Sequence, residues 1–553
     1  MRDWLSHRAR IDPDDEALIE AETGDIYRFS DLDALVDDVA GRLASLGVER
    51  GDHLGTVLQP SLEYVCLLHA AMRLGVTIVP MGAGLTAREL AGKIATADVT
   101  IVLCDASTEG SVVDAVARVA DGTGADIGVG SDTKAPSTDG GADRDGEAAD
   151  PPAVVSVDDP QGDRTEPLSA ATPEQVTAAD LSLSDTQLIV YTSGTTGDPK
   201  PVRLTVKNVL ASAVTSAFRL GLDPADRWLA TLPLHHVGGL TPLLRMPLYG
   251  MTVVLRQSFE AGSAADDLDR YDATAVSLVP TMLRRMLDKR GTLTDSLRIV
   301  LLGGAPVPTE LIERCRDYGV PVHPTYGMTE TASQAATATP KEAFADPETV
   351  GRPLLFTEVT IVDGSGTPLP RGESGELVVD GPTVTPGYYG NEPAASDSFG
   401  EFGLHTGDVA VVEESGTLNV LNRVDDRIIT GGEIVDPGEV SNVLVSHPAV
   451  RDAVVVGVPD AEWGERVAAL VVPDNRVGSG NSDSGSPAEA PIDRSELLDY
   501  SRELLAGFKL PKTIAFTDEL PRTVSGTADR QAVRKTLSNS SSESSAPDRS
   551  DST

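Results

Sequence analysis

Positive charge is what this sequence has least of. Its 553 residues carry 45 Lys and Arg against 85 Asp and Glu, a formal net charge of −40 at pH 7. The acidic residues are spread through DPDDE, PADR, AADDLDRYD and the tail, with no single acidic block. Nucleic acid and anionic membrane are therefore not expected as partners. The surface is instead expected to stay hydrated in the cytosol of a salt-accumulating halophile, where screening over a few ångströms blunts its self-repulsion. Cysteine is scarce too. Cys66, Cys104 and Cys315 stand apart in apolar contexts without metal-ligand spacing, which predicts buried thiols in a reducing compartment. Long apolar runs are missing: none approaches a membrane span, and the opening MRDWLSHRARIDPDDE holds no apolar signal core. A soluble, cytoplasmic protein is expected. Also absent is GxxxxGK[ST], the phosphate loop of ordinary NTPases.

What is present is another way of meeting a polyphosphate. Residues 191–200 read YTSGTTGDPK, between the apolar run Leu188 to Tyr191 and a helix-like run from Val206 to Leu220. Gly194 and Gly197 let the backbone turn with positive φ and approach a ligand. Thr192, Ser193, Thr195 and Thr196 offer hydroxyl donors, and Lys200 adds a mobile point charge.

Around this stretch, strand patterns alternate with helix patterns. FSDLDALVDDVAGRLASLG has helical spacing, with Ser30 as N-cap and Gly47 as stop. GDHLGTVLQ, GVTIVPM and VTIVLCD read as strands; Leu62 to Leu74 and LTARELAGKIATA read as helices. The alternation predicts a wound α/β sheet. It resumes after Leu188 and turns β-rich after Gly351, in EVTIVD, GELVVD and GTLNVLNR. Three segments, 130–152, 475–491 and 538–553, are too polar to offset the cost of ordering and are expected to be disordered.

The order T-S-G-T-T-G-x-P-K resembles the phosphate-binding signature of the adenylate-forming superfamily of acyl-CoA synthetases, luciferases and adenylation domains. Further motifs follow in that family's order. Tyr326-Gly327-Met328-Thr329-Glu330 resembles its adenine and metal motif, which implies that Tyr326 stacks on adenine, Thr329 meets the α-phosphate and Glu330 holds Mg2+. The residue types suit those tasks: a flat π-face, a neutral donor and a hard oxygen anion. Gly303-Gly304-Ala305 resembles the segment beneath adenine. Asp408 of Thr406-Gly407-Asp408 and Arg423 match the family's ribose contacts. Asp425 falls at its hinge, and Gly431-Gly432 at the lining of its pantetheine tunnel.

The resemblance implies a large N-terminal domain, residues 1–422, of two wound α/β layers plus a β-rich subdomain. A smaller mobile α/β lid, 423–537, would follow it. ATP, Mg2+ and CoA are the implied cofactor and co-substrates, a small carboxylate the other partner, and a homodimer the assembly admitted. LPLHHVGGLTPLLRMPLYGMTVVL together with PTYGMTETASQ looks like the o-succinylbenzoate:CoA ligase branch, which serves menaquinone synthesis. His236 then stands where a basic residue meets a substrate carboxylate, as cation or as donor. Thr331 and Ser333 either supply hydroxyls to the substrate or belong to helix-start chemistry.

One position departs from the pattern. The family carries a lysine in PRTxSGK, whereas this chain reads PRTVSGTADR with Thr527 in its place. Threonine cannot neutralise two anions brought together, and Lys512, Arg522, Arg530 and Lys535 are the nearby cations in sequence. Three readings follow: an o-succinylbenzoate ligase, another aryl or acyl-CoA ligase acting on a benzoate, coumarate or fatty acid, or a binder of nucleotide or acyl-adenylate that has lost catalysis.

Overall fold

The computed structural model describes residues 3–122, 151–192, 199–391, 394, 396, 398–423, 426, 428–430, 433–435, 437–460, 463–474, 492–505, 507–522 and 528–540. The chain divides into two compact units, Met1–Glu358 with Val379–Leu404, and Val359–Val378 with His405–Thr553. This division does not fall at 422/423: much of the β-rich stretch goes with the C-terminal part of the chain.

The first unit is built on two sheets. One has seven strands in the order Glu166–Pro167, Ala153–Ser156, Ile101–Cys104, His53–Val57, Thr77–Pro80, Thr186–Tyr191 and Pro201–Thr205. All are parallel except the last pair. The other has nine strands, with a parallel centre from Val322–Tyr326 through Ile299–Leu302, Ala275–Leu278, Arg227–Ala230 and Thr252–Leu255 to Glu16–Glu20. Its edges are antiparallel. Strands such as TIVP and IVLC are buried throughout, as parallel strands covered on both faces must be. Helix Leu62–Leu74 is apolar nearly all round, with Tyr64 through Met72 buried, and joins both sheets in one core.

The second unit contains a sheet in the order Glu433–Val435, Ile428–Thr430, Gly464–Pro473, Val450–Asp460, with Thr513–Phe516 parallel to Gly464–Pro473. A further sheet runs Glu358–Val362, Ser374–Asp380, Gly403–Val412, Leu418–Arg423 and supplies this unit with Val359–Val378 and His405–Arg423. Among the described residues no helix is long and apolar enough to cross a membrane.

Three local expectations are corrected. Helix Phe29–Ser45 starts one residue before Ser30 with Arg28 as its cap, because the Asp31 carboxylate accepts the Arg28 N–H at 3.0 Å and Phe29 is fully buried. The glycine-rich stretch does not lead directly into a helix. An extra strand, Pro201–Thr205, intervenes and pairs antiparallel with Thr186–Tyr191, so the stretch caps a β-hairpin. Helix Arg530–Ser540 takes in 538–540, which were expected to be disordered, because Leu537 is buried and the Ser538 hydroxyl donates to the Arg534 carbonyl. The segments 130–150, 475–491 and 541–553 lie outside the described residues.

Candidate active site

The hairpin holds the stems of the hydroxyl-rich loop in register. Tyr191 pairs with Pro201, Thr192 N–H donates to the Lys200 carbonyl at 3.1 Å, and Lys200 N–H donates to the Thr192 hydroxyl at 3.2 Å. Ser193, Gly194, Thr195, Thr196 and Gly197 lie outside the described residues. Lys200 extends over the ring of Tyr388, with its ammonium 4.9 Å from the centroid.

Tyr388 was not legible as a site residue, and the backbone shows how it arrives. Residues 382–389 are stitched to the hairpin and to helix Val206–Leu220. Asn208, in that helix's capping box, donates to the Pro382 and Val384 carbonyls at 3.0 and 2.8 Å. The Thr385 hydroxyl donates to the Arg203 carbonyl, and Tyr389 N–H donates to the Pro201 carbonyl at 2.8 Å.

The same segment reaches the other motif. Thr385 N–H donates to the Glu330 carbonyl at 2.8 Å, and the Tyr388 hydroxyl donates to Glu330 Oε1 at 3.2 Å. Burial, reinforced by the Glu330 charge, pushes the Tyr388 phenol up to about 12, so it remains a donor. Lys200 and Glu330, 130 positions apart in sequence, thus share one tyrosine.

Tyr326 ends strand Val322–Tyr326, and Thr329 and Glu330 lie in the single turn Thr329–Thr331. The turn is tight. A Cβ on Gly327 would overlap the Ser333 carbonyl oxygen, and Ala332 and Ser333 stand at φ 50° and 103°. Thr331 is fully buried and its hydroxyl closes the turn on both the N–H and the carbonyl of Met328. That is local turn chemistry, which favours the second of the two readings of Thr331. Gly303 follows strand Ile299–Leu302, and a Cβ there would meet Thr325 Cγ2 at 2.6 Å; Gly304 has φ 77°. The missing side chain at Gly303 lets this strand end pack closely against Thr325, the residue before Tyr326.

His236 caps helix Val237–Tyr249, with its ring 4.2 Å from that of His235. Burial holds His236 below its ordinary range and His235 down at about 4, and the positive charge of Lys93 depresses both further. Burial thus favours the neutral ring of each, the form in which His236 would act as a donor. The cation of this helix is Arg245, which sequence reasoning missed. It is 3% exposed, donates to the hydroxyls of Ser212 at 2.7 Å and Ser216 at 3.1 Å and to the side-chain amide oxygen of Gln334 at 3.4 Å, and its Nε has no partner. Among the described residues no carboxylate forms an ion pair with it. The available signal was a lone charge in the apolar run VGGLTPLLRMPLY. A buried cation held only by neutral groups is costly.

In the second unit, Asp408 and Arg423 face each other on adjacent strands, with Arg423 Nε 3.8 Å from Asp408 Oδ1. Gly407, at φ 70°, sits under the Arg423 guanidinium, and the Thr406 hydroxyl donates to the Leu377 carbonyl at 2.8 Å. Asp425, Gly431, Gly432 and Thr527 lie outside the described residues. Of the cations near Thr527, Arg522 pairs with Asp452 at 2.6 Å, Arg530 with Asp426 at 2.9 Å, and the Lys512 ammonium lies 3.1 Å from the Trp463 ring centroid. Lys535 is exposed.

The donor set fits a magnesium that arrives on a nucleotide. Among the described residues no group of three His, Cys, Asp or Glu could cage a metal. A Mg2+ already carrying phosphate oxygens and water needs one or two carboxylates, and Glu330, which shares Tyr388 with Lys200, offers one.

Comparison with known proteins agrees with this geometry. The AMP-binding enzyme family matches residues 5–389, and the AMP-binding enzyme C-terminal domain matches 439–527. The chain is 36% identical over 522 residues to the 2-succinylbenzoate–CoA ligase of Bacillus licheniformis, covering 94% of this chain and 97% of that protein. Its structure is similar to o-succinylbenzoate CoA synthetase (MenE) of Bacillus subtilis bound to the acyl-adenylate intermediate OSB-AMP. That match has a TM-score of 0.81 and 33% identity over 97% of this chain and 98% of the other. The same enzyme bound to ATP and magnesium matches with a TM-score of 0.81 and 33% identity, over 97% and 99%. On these matches the chain belongs to the AMP-binding enzyme family.

Proposed function

We propose that the chain is an ATP-dependent acid:CoA ligase that converts o-succinylbenzoate to o-succinylbenzoyl-CoA in menaquinone biosynthesis, through an acyl-adenylate. The observation that carries the reading is the convergence of Lys200 and Glu330 on Tyr388 at the stem of the hydroxyl-rich loop. A carboxylate of the acid attacks the α-phosphorus of ATP, forming the mixed anhydride and releasing pyrophosphate. The CoA thiol then attacks the carbonyl carbon, forming the thioester and expelling AMP. Lys200 neutralises charge growing on the phosphate, Thr329 donates to it, and Tyr388 fixes the Glu330 carboxylate. Glu330 would hold the magnesium, which when bound screens the charge of the polyphosphate.

Tyr326, Gly327 and Gly303 to Ala305 provide the adenine bed, Asp408 and Arg423 the ribose contacts, Asp425 the hinge, and Gly431 with Gly432 the thiol channel. Arg245 receives the second carboxylate of the acid, with Ser333 and His236 as neutral donors. This separates a dicarboxylate ligase from a benzoate or fatty-acid ligase, which would bury Arg245 with no anion to meet it. The even spread of acidic residues supports a cytoplasm rich in salt.

The test is pyrophosphate release in molar KCl with o-succinylbenzoate, benzoate and a medium-chain fatty acid. Release is expected with the first alone, and Thr527→Lys is expected to raise it. ATP binding without release for any acid would favour the non-catalytic binder, the reading that Thr527 supports.

A further inference from the structure

Tyr388 owes its place to a short extended segment laid along the edge of the hairpin. The Arg203 N–H donates to the Gly387 carbonyl at 3.1 Å and the Tyr389 N–H to the Pro201 carbonyl at 2.8 Å, an antiparallel bridge that sets Tyr388 opposite Val202. Successive side chains of extended backbone point to opposite faces. Tyr388 accordingly joins the core shared by the two sheets, where Lys200 lies over its ring, and Tyr389 packs on the separate core under helix Ala87–Thr96.

Tyr389 meets a fixed frame there. Its hydroxyl donates to Asp98 Oδ2 at 3.0 Å, and its ring stands edge-on to the His53 imidazole, with centroids 4.9 Å apart and planes at 74°. His53 is itself held, since it opens strand His53–Val57 and its Nδ1 bonds the Ala97 carbonyl. Asp98 lies in the short connection from helix Ala87–Thr96 to strand Ile101–Cys104 at φ 47°, a left-handed backbone that Asp tolerates better than most residues. Burial, reinforced by the Asp98 charge, pushes the Tyr389 phenol up to about 12, so it stays a donor.

Two neighbouring phenols thus bond carboxylates on opposite faces of one segment. Tyr388 bonds Glu330, which the chemistry above uses; Tyr389 bonds Asp98, which it does not. The peptide between them is planar and stiff, so fixing one side chain restricts the other.

Resting on the ligase reading, we propose that Tyr389 is a positioning residue for adenylation: anchored on Asp98 and His53, it holds the 387–389 backbone so that Tyr388 meets Glu330 and Lys200 in one geometry. It acts through Tyr388 and not by contact with a substrate. Small displacements at Glu330 and Lys200 matter because catalysis by placement is sensitive to them.

Single-turnover pyrophosphate release from ATP and o-succinylbenzoate, with hydrogen exchange at the Tyr389 amide, tests this in the full-length chain. Tyr389→Phe removes the hydroxyl and keeps the ring. Asp98→Gly removes the carboxylate and suits the left-handed backbone, whereas Asp98→Asn keeps an acceptor there. Tyr389→Phe and Asp98→Gly are each expected to slow release about fivefold, the scale of one partly exposed hydrogen bond to a charged group, with half-saturating ATP and acid unchanged. Asp98→Asn is expected to release at the wild-type rate. In a Tyr388→Phe background, Tyr389→Phe is expected to cost nothing further, because its effect passes through the hydroxyl already removed. Exchange at the Tyr389 amide is expected to quicken in Tyr389→Phe and Asp98→Gly. Wild-type release by Tyr389→Phe overturns the proposal, as does a loss that adds in full to that of Tyr388→Phe or that raises only the half-saturating concentrations. Absence of release by the wild type with any acid would refute the ligase reading instead, and exchange would still report whether Tyr389 holds the segment.

Discussion

At Arg245, stability and function pull in opposite directions. Its guanidinium is buried among hydroxyls and an amide, so the folded protein bears a desolvation penalty that no carboxylate of its own offsets. Replacing it with an apolar side chain of similar length removes that penalty and also the proposed receptor for the substrate's second carboxylate. Arg245→Met is therefore expected to leave Tm unchanged or higher while raising the KM for o-succinylbenzoate about 100-fold, the scale on which a desolvated charge pair is lost. Calorimetry and pyrophosphate release measure the two arms. A lower Tm with an unchanged KM would make Arg245 a packing residue. Single residues were unevenly legible: Lys200, Tyr326 and Glu330 announce themselves by motif, whereas Tyr388 lies in a stretch without chemical signature. It acquires meaning only from the groups that folding sets beside it.

Among the elements, the hairpin and the turn after Tyr326 do the positioning. The turn depends on close backbone approach, since Gly327 packs against the Ser333 carbonyl and two successive non-glycine residues stand at positive φ. Gly327→Ala is expected to lower stability by about 1–3 kcal/mol, the usual cost of overpacking, and to lower pyrophosphate release by far more than that loss explains. The reason is that it shifts Thr329 and Glu330 together. Denaturant unfolding and single-turnover release check this pair of outcomes, and wild-type release at reduced stability would show that the turn does not align the site. Several helices of the first unit were legible from periodicity, and Leu62–Leu74 and Val206–Leu220 were read with their observed ends; others, such as Glu109–Ala120 and Thr309–Tyr318, were not read. The strand Pro201–Thr205 was not, because PVRLT carries too short a pattern and gains its partner only by pairing with Thr186–Tyr191.

Over the molecule as a whole, charge outweighs every local effect. A net charge of −40 over 553 residues repels itself in every compact state, and dissolved salt screens that repulsion. Tm is expected to rise on the order of 5 °C between 0.1 and 2 M KCl. A flat or falling Tm in a calorimetric salt series would mean that the acidic surface is not an adaptation to salt. Composition alone supports this prediction, since it needs no knowledge of where each carboxylate lies.

The sequence by itself determined the family motifs, the alternation of strand and helix, the acidic surface and the departure at Thr527, because each resides in local order or composition. Tertiary structure alone decided which charges are left without partners. In a list of residues Arg245 is only a lone charge in an apolar run. It becomes a candidate anion receptor because the folded chain buries it and no carboxylate of the described residues pairs with it. Solvation and pairing are properties of neighbours in space, and no short stretch of sequence contains them.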